Sequence, residues 1–332
     1  MNNKVEKLIY NTILVTGGCG FIGTNFIRML LSSSNCPRIV NLDCLTYAGH
    51  DFNLKKFSKD KRYTFVEGKI QDEKLVQSLI QDYKPDALIN FAAESHVDRS
   101  IDSYREFYET NVGGTLVLLD AALRGKVKRF LQVSTDEVYG SRETGYFTET
   151  SSIKPSSPYA ASKASADCFV ESYHTTYGMD TVITRCTNNY GPYQNPEKFI
   201  PLIITNLHKG AKIPVYGDGM NKRNWIYVDD HCRGVISALN YGKSGQIYNF
   251  AGPSEKTNID LVKSIIGNMG KSEDLIEFVD DRLGHDFRYA LDDKKARNEL
   301  AWSPEVEFSL GINETLEWYE NNAGWINKVN KN

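Results

Sequence analysis

Short apolar runs alternate with amphipathic stretches through the first half of the chain. The apolar runs predict strands over 12–16, 38–43, 63–67, 87–91, 129–134 and 180–185. Between them, a helical spacing of apolar residues predicts helices over 21–31, 72–82, 104–123 and 159–177. Apolar strands that alternate with helices are typical of a parallel sheet covered on both faces. We therefore expect an α/β fold with a doubly wound parallel sheet.

The pattern changes after residue 185, where glycine, proline, asparagine and tyrosine become frequent. Helices are predicted here over 200–209, 229–239 and 310–321. We expect a larger N-terminal domain over 1–185 and a smaller C-terminal α/β domain over 186–332. Some later segments, such as 225–250, are expected to return to the first domain.

Composition and charge indicate which kinds of binding partner to expect. The 332 residues are 41% hydrophobic and 24% charged, with a net charge of −3. This is the composition of an ordinary globular protein, and it offers no electrostatic reason to expect nucleic acid or an anionic membrane as a partner. No apolar run is long enough to span a bilayer, and residues 1–11 lack the apolar core of a signal peptide.

The six cysteines are scattered, and no cysteine or histidine cluster has metal-ligand spacing. Reduced thiols in a cytoplasmic protein are the simplest interpretation. We expect no bound metal.

A glycine-rich segment, Gly17–Gly23 (GGCGFIG), joins the first predicted strand to the first predicted helix. Glycines allow a tight turn and a close approach to a pyrophosphate, which the free N–H groups of the helix N-terminus bind. Asp43 ends the second strand, where its carboxylate accepts from ribose hydroxyls and repels a 2′-phosphate. A glycine turn without a ligand is the alternative, but this context favours a Rossmann-type site for NAD.

Tyr159 and Lys163 are four residues apart on a predicted helix, so their side chains share a face. Tyrosine ordinarily titrates near 10, and a nearby ammonium group lowers that pKa. We expect Tyr159 to take a proton from a substrate hydroxyl. A surface pair is the alternative, and the nearby nucleotide motif argues against it.

Thr135, Asp136 and Glu137 follow the fifth predicted strand. Active-site groups in open α/β sheets gather at the carboxyl ends of the strands. Two carboxylates in different environments can act as acid and base. A solvated acidic loop is the alternative, and the Tyr159–Lys163 pair favours an active site.

With these motifs, the chain resembles the extended short-chain dehydrogenase/reductase family, and within it the dTDP-glucose 4,6-dehydratases. The matching segments are 17–23, 41–49, 91–101, 134–140, 157–167, 186–202, 215–232 and 281–292. Adjacent acids within 136–140 (DEVYG) distinguish this group from the related epimerases and decarboxylases. A homodimer is also implied, through a four-helix contact of the helices at 104–123 and 159–177.

The resemblance implies a three-stage reaction on a nucleotide diphosphate hexose. Tyr159 removes the 4-OH proton as NAD takes hydride, and Thr135 hydrogen-bonds O4. Glu137 then takes the C5 proton, while protonated Asp136 donates to the leaving 6-OH. Finally the hydride returns to C6 and C5 is reprotonated. Lys163 would also bind the nicotinamide ribose.

The resemblance further implies two sets of binding residues. The cofactor set is Gly17, Gly20, Phe21, Ile22, Gly23, Asp43, Leu45, Thr46, Lys69, Ile70, Ala92, Ala93, Ser95, Thr110, Val133, Tyr159, Lys163 and Asn189. The substrate set is Ser95, His96, Thr135, Asn188, Lys198, Pro214, Tyr216, Arg223, Asn258, Arg282, His285 and Tyr289. The cations in the second set would bind the phosphates.

Three positions depart from the family pattern. Lys69 stands where an aspartate commonly accepts from the adenine amino group, and lysine cannot accept a hydrogen bond. Asn224 replaces an aspartate, and Phe250-Ala251 replaces Ile-Gly. Glu94, within 92–98 (AAESHVD), resembles the dTDP-glucose enzymes more than the UDP-glucose dehydratases. UDP-glucose and UDP-N-acetylglucosamine stay open as alternatives, as do a 4-epimerase and a non-catalytic protein that senses NAD.

Overall fold

The computed structural model describes residues 8–331, which form twelve strands. Their bounds are Thr12–Thr16 (β1), Arg38–Asp43 (β2), Tyr63–Glu67 (β3), Ala87–Asn90 (β4), Arg129–Thr135 (β5), Thr181–Cys186 (β6), Asn188–Tyr190 (β7), Ile213–Tyr216 (β8), Lys222–Tyr227 (β9), Gln246–Phe250 (β10), Ser254–Thr257 (β11) and Ile276–Val279 (β12). Seven of them form a parallel sheet in the order β10-β6-β5-β4-β1-β2-β3. The predicted doubly wound α/β fold is confirmed.

The α-helices connect and cover these strands. Their bounds are Phe21–Leu31 (α1), Glu73–Tyr83 (α2), Val97–Asp102 (α3), Arg105–Phe107 (α4), Thr115–Arg124 (α5), Pro158–Tyr177 (α6), Phe199–Lys209 (α7), Val228–Tyr241 (α8), Asn258–Asn268 (α9), Lys294–Leu300 (α10), Phe308–Asn321 (α11) and Ala323–Val329 (α12). Short 3-10 turns cover Asp51–Phe57, Asp136–Tyr139 and Glu273–Leu275. Within residues 8–331, no helix is both long and apolar enough to cross a membrane.

The apolar strand residues alternate between two cores, one on each face of the large sheet. Ile13 and Val15 join the core beneath α1 and α8, whereas Leu14 joins the core beneath α2 and α5. This alternation follows from the period of two in a strand. It explains why the sequence shows continuous apolar runs here rather than alternating ones.

The helix predicted over 104–123 is interrupted. A π-helical turn, Tyr108–Gly114, separates α4 from α5. Inside it, the Asn111 amide donates to the Glu94 carbonyl and to the Ser162 hydroxyl, at 3.0 and 2.8 Å. These long-range bonds stabilise a wider turn that the apolar spacing alone does not indicate.

The chain after residue 186 contributes to both parts of the molecule. Strands β11, β9 and β7 form a small sheet, and β12 pairs with β8. These strands pack with α7, α9 and α11 around a separate apolar core. In contrast, α8 packs on α1, and β10 pairs with β6 at the edge of the large sheet. The sequence analysis did not predict β10 as a strand.

Candidate active site

The glycine loop between β1 and α1 is shaped by close backbone contacts. Gly17 has a positive φ of 69°, and a Cβ there would lie 2.5 Å from the Ala92 nitrogen. A Cβ on Gly23 would lie 2.3 Å from the Gly17 carbonyl oxygen. Gly20 precedes α1, whose first N–H groups receive no side-chain cap among the described residues. The loop therefore fits a diphosphate placed against the helix N-terminus.

Asp43 lies at the end of β2 and is only 7% exposed. Its two carboxylate oxygens accept from the backbone N–H groups of Cys19 and Leu45, both at 2.9 Å. Burial raises the pKa of the Asp43 carboxyl, and these two hydrogen bonds oppose the rise. Each oxygen retains a lone pair, so the carboxylate is able to accept from ribose hydroxyls.

A cavity of about 310 Å³ extends from the glycine loop to the carboxyl edge of the large sheet. All of the predicted cofactor residues line it except Leu45 and Lys69. Leu45 contributes its backbone N–H to Asp43, and Lys69 is exposed. Gly68 and Gln71 line this end of the cavity instead. Sequence reasoning missed Gln71, although it lies only two residues from Lys69.

Tyr159 and Lys163 project from the first turns of α6. Ser157 is the N-cap of the helix, and its side chain accepts from the Ala160 N–H. Pro158 is the first residue of the helix. Both side chains are buried, and the Lys163 ammonium donates to the Val133 carbonyl at 2.8 Å. The helix therefore places the pair against β5.

The electrostatics of Tyr159 differ from the prediction. Burial raises its pKa well above the ordinary value, the Glu137 carboxylate adds to the rise, and a hydrogen bond with Thr135 opposes it. Burial also lowers the pKa of Lys163. The expected lowering by Lys163 is not seen because the phenol is buried beside an acid. The protein atoms alone therefore keep the phenol protonated.

Thr135 ends β5 and caps the 3-10 turn that carries the two acids. Its hydroxyl accepts from the Glu137 N–H and donates to an Asp136 carboxylate oxygen, both at 3.3 Å. Asp136 is 2% exposed, and its Oδ2 atom has no hydrogen-bond partner among the described residues. A buried, unpartnered carboxyl oxygen is suited to contact a ligand.

The two acids differ in environment. Burial, followed by the Glu137 charge, raises the pKa of Asp136 to about 8. Burial also raises the pKa of Glu137, but Arg223, Arg282 and Lys198 oppose that rise. Asp136 is therefore protonated near neutral pH, whereas Glu137, although its pKa is also raised, is stabilised in its ionised form by more cations than Asp136 is. This difference is what an acid and a base require.

A buried ion pair between Arg185 and Asp167 contacts the carboxyl end of β5. The Asp167 carboxylate accepts from the Ser134 hydroxyl at 3.0 Å and from the Arg185 guanidinium at 2.9 Å. Arg185 also donates to the Tyr139 hydroxyl at 2.9 Å. Sequence reasoning missed this pair, although the position of Asp167 one helical turn after Lys163 was a usable signal.

The predicted substrate residues fall into two groups. Ser95, Thr135, Asn188 and Lys198 line the cavity, and the Lys198 ammonium donates to the Ser95 carbonyl at 2.9 Å. The others lie outside it: His96, Pro214, Tyr216, Arg223, Asn258, Arg282, His285 and Tyr289.

Several members of the outer group lie together beside the acids. The Arg223 guanidinium is 4.4 Å from the centre of the Tyr289 ring, and the Tyr216 and His285 rings are 6.0 Å apart. Arg282 contacts Asp98 at 3.4 Å. Pro214 and Asn258 are in β8 and at the start of α9, respectively.

His96 lies at the N-terminus of α3. It caps the helix through the Arg99 N–H, and its ring is 3.8 Å from the Glu197 carboxylate.

Two departures from the family pattern have structural explanations. The Asn224 amide donates to the Gly252 carbonyl at 2.9 Å and accepts from the Gly252 N–H at 2.7 Å. An aspartate is unable to donate the first of these bonds when ionised. Phe250 packs on Trp302 in the core, with ring centres 4.6 Å apart. Both residues therefore stabilise the backbone that carries the site.

Comparison with known proteins identifies the family. A family model described as GDP-mannose 4,6 dehydratase matches residues 14–315. The chain belongs to this 4,6-dehydratase family. A dTDP-glucose 4,6-dehydratase of Streptomyces niveus is 48% identical over 317 residues, covering 94% of each protein. The predicted resemblance is confirmed.

Solved structures show the same relationship to the 4,6-dehydratases. The dTDP-glucose 4,6-dehydratase DesIV of Streptomyces venezuelae, solved with NAD bound, is 48% identical with a TM-score of 0.93. The match covers 96% of this chain and 99% of DesIV. A UDP-glucose 4-epimerase of Thermotoga maritima is similar at 28% identity and a TM-score of 0.88, over 94% of this chain and 99% of the epimerase. The fold is thus shared beyond the dehydratases.

Proposed function

We propose that this chain is an NAD-dependent hydro-lyase that converts dTDP-glucose to dTDP-4-keto-6-deoxyglucose and water. The observation that carries the proposal is the placement of two unlike acids, Asp136 and Glu137, beside Tyr159. All three line a cavity that continues to the glycine loop. A simple oxidoreductase site needs the tyrosine but not a second acid–base pair.

The reaction begins with oxidation at C4 of the hexose. NAD held by the glycine loop, Asp43 and Lys163 would supply a hydride acceptor at C4, a hydride donor at C6 and a positive charge that favours the Tyr159 phenolate. Tyr159 takes the proton of the 4-hydroxyl group, and Thr135 orients O4 through its hydroxyl. Lys163 binds the nicotinamide ribose.

Elimination of water follows because a ketone at C4 makes the C5 proton acidic. Glu137, which the surrounding cations favour in its ionised form, removes that proton. Asp136 retains its own proton near neutral pH and donates it to the departing 6-hydroxyl group. Protonated Glu137 then returns a proton to C5 as C6 receives the hydride, so the net change is the loss of water. Each positioned acid or base contributes roughly 10²–10⁴-fold to the rate.

The substrate diphosphate lies, in our proposal, towards the C-terminal part of the chain. The positive charges of Arg223 and Arg282 lower the pKa of Glu137, and Lys198 lines the same cavity as Glu137. Guanidinium groups suit phosphate oxygens because they donate two parallel hydrogen bonds. We assign residues 1–185 mainly to NAD binding and catalysis, and residues 186–332 mainly to the nucleotide sugar.

A panel of nucleotide sugars tests this function. The protein with NAD is incubated with dTDP-glucose, UDP-glucose and UDP-N-acetylglucosamine, and the 4-keto product is detected by its absorbance in alkali. We expect product from dTDP-glucose at the highest kcat/KM. Product from a UDP-sugar alone would reassign the substrate. Formation of a 4-epimer without a ketone would replace the reaction by that of the epimerases that share the fold.

A homodimer through a four-helix contact is also proposed. Exposed aromatic side chains near α4 and on α6 support it, since Tyr104 and Tyr177 are 65% and 57% exposed. Large exposed apolar side chains on neighbouring helices are typical of an association surface. Sedimentation at micromolar concentration is expected to show a dimer, and a monomer would contradict the proposal.

A cytoplasmic location stays a prediction. It is supported by the six cysteines, all of which are free thiols in this structure.

A further inference from the structure

The last two helices described contact one residue that lines the cofactor cavity and one residue that packs against the glycine loop. The residues that make these contacts, Tyr319 on α11 and Trp325 on α12, lie beyond residue 315, where the family match ends. Neither lines the cavity itself. Their influence on the cofactor must therefore pass through other residues.

The first contact reaches the glycine loop through Asn53. The Trp325 indole N–H donates to the Asn53 amide oxygen at 2.6 Å, although the two residues are 272 positions apart. Asn53 is 5% exposed, and its amide nitrogen lies 3.5 Å from the Cys19 carbonyl and 3.4 Å from the Thr24 hydroxyl. Cys19 belongs to the glycine loop, and Thr24 is in the first turn of α1. Trp325 thus holds a side chain that contacts the glycine loop and α1 from behind the cavity.

Further contacts attach α12 to the same segment. The Lys328 ammonium lies 3.7 Å from the centre of the Phe52 ring, and the Trp325 ring packs edge-on against His50 at 6.2 Å. The His50 N–H donates to the Cys19 carbonyl at 2.9 Å. Residues 50–53 therefore form a layer between α12 and the glycine loop.

The second contact reaches the opposite wall. The Tyr319 hydroxyl donates to the Gln194 carbonyl. The Gln194 side chain donates in turn to the Asn189 carbonyl at 3.0 Å, and both residues line the cavity. One helical pair thus connects two loops that approach the cofactor from different domains.

We propose that Trp325 and Tyr319 are positioning residues for NAD, holding the glycine loop and the Gln194 wall in the geometry that binds the cofactor. The inference rests on NAD being the cofactor, as proposed above. A loop that is ordered before binding loses less conformational entropy when the ligand arrives, so the same contacts yield a higher affinity. The chemical groups at Tyr159 and Asp136 are not altered by either contact.

Trp325→Phe tests the first contact because it keeps an aromatic ring and deletes the N–H donor. The matched control is Trp318→Phe, the same change in the same aromatic cluster, with ring centres 5.1 Å from Trp325. NAD affinity is measured by calorimetry on protein stripped of cofactor. Because the bond affects the Kd only by ordering the loop before binding, its loss predicts a Kd for Trp325→Phe that is weaker by up to roughly fivefold. Trp318→Phe is expected to retain the wild-type Kd, and kcat at saturating NAD is expected to be unchanged in both variants.

Tyr319→Phe provides an independent arm that deletes the bond to the Gln194 carbonyl. It too is expected to weaken NAD binding severalfold without changing kcat, and it decides the question if Trp325→Phe does not fold. Equal Kd values for the wild type and both variants would overturn the inference. So would equal weakening by Trp318→Phe, which would indicate a general packing effect. Failure of the wild type to bind NAD would instead refute the proposed function.

Discussion

Replacement of Asp136 by asparagine is predicted to stabilise the protein while it strongly slows turnover. The substitution keeps the size of the side chain and an oxygen able to accept from the Thr135 hydroxyl, but it removes the ionisable group. Asp136 is buried, and its pKa is raised from 3.8 to about 8, first by burial and then by Glu137. The wild type therefore carries an energetic cost at this position that asparagine lacks.

The size of that cost follows from proton linkage. The unfolded chain ionises Asp136 above about pH 4, whereas the folded protein keeps the proton until about pH 8. The folded state therefore binds more protons in this window, and wild-type stability falls as the pH rises through it. Each tenfold difference in proton affinity corresponds to about 1.4 kcal/mol, so the penalty at pH 7 reaches about 4 kcal/mol as an upper limit.

Urea unfolding from pH 4 to 8.5 measures the effect. Wild type and Asp136→Asn are compared at one protein concentration and one NAD content, since both ligand and association stabilise the folded state. We expect equal free energies of unfolding near pH 4 and an advantage for the variant that grows until about pH 8. Asp102→Asn, a change at an exposed aspartate, serves as the control and is expected to show no such growth.

The substitution that stabilises the folded protein is expected to lower its turnover. Turnover of the wild type should fall as the pH rises through about 8, because the acid loses its proton. Asp136→Asn should cost roughly 10²–10⁴-fold below about pH 8, and the difference from the wild type should narrow above that pH. A variant no more stable than the wild type at pH 7, with a parallel pH dependence, would refute the reasoning. It would mean that the folded protein holds Asp136 ionised, and the role of proton donor would then belong elsewhere.

Three further predictions concern the other groups of the site. Glu137→Gln should reduce NAD in a single turnover but fail to exchange the C5 proton with deuterated solvent. Tyr159→Phe, in contrast, should fail to reduce NAD. Exchange of the C5 proton at the wild-type rate in Glu137→Gln would contradict the assignment of Glu137 as the base. Asp43→Asn should raise the affinity for NADP relative to NAD in a fluorescence titration, because it removes the charge that repels a 2′-phosphate, and an unchanged ratio would show that this carboxylate does not select the cofactor. Asp167→Asn should lower the free energy of unfolding by about 3–5 kcal/mol, because it leaves Arg185 buried without its partner. In urea unfolding, the double variant with Arg185→Met should recover most of that loss. A double variant as unstable as the single one would argue against this explanation.

Local pattern was enough to predict most of the first domain. The apolar runs that predicted strands correspond to β1–β6, and α1, α2 and α6 have nearly the predicted bounds. The glycine loop, the Tyr159–Lys163 spacing and the acids after β5 are also local. Their chemistry depends on a strand end or on one helical turn, which a short stretch of sequence specifies.

Contacts between distant segments could not be predicted in this way. Strand β10 is recognisable as part of the large sheet only because β6 provides its hydrogen-bond partners. The π-helical turn before α5 depends on Asn111 reaching Glu94 and Ser162, and neither partner is near it in sequence.

The charge states of the site were decided by tertiary structure alone. The sequence placed Tyr159 near a lysine and predicted a lowered pKa, but burial beside Glu137 raises it in the folded chain. The cations that favour ionised Glu137 come from positions 198, 223 and 282, on separate segments of the C-terminal part. A motif specifies which groups are present. The energy of a charge depends on its desolvation and on every other charge within several ångströms, and these are set only when distant segments pack together.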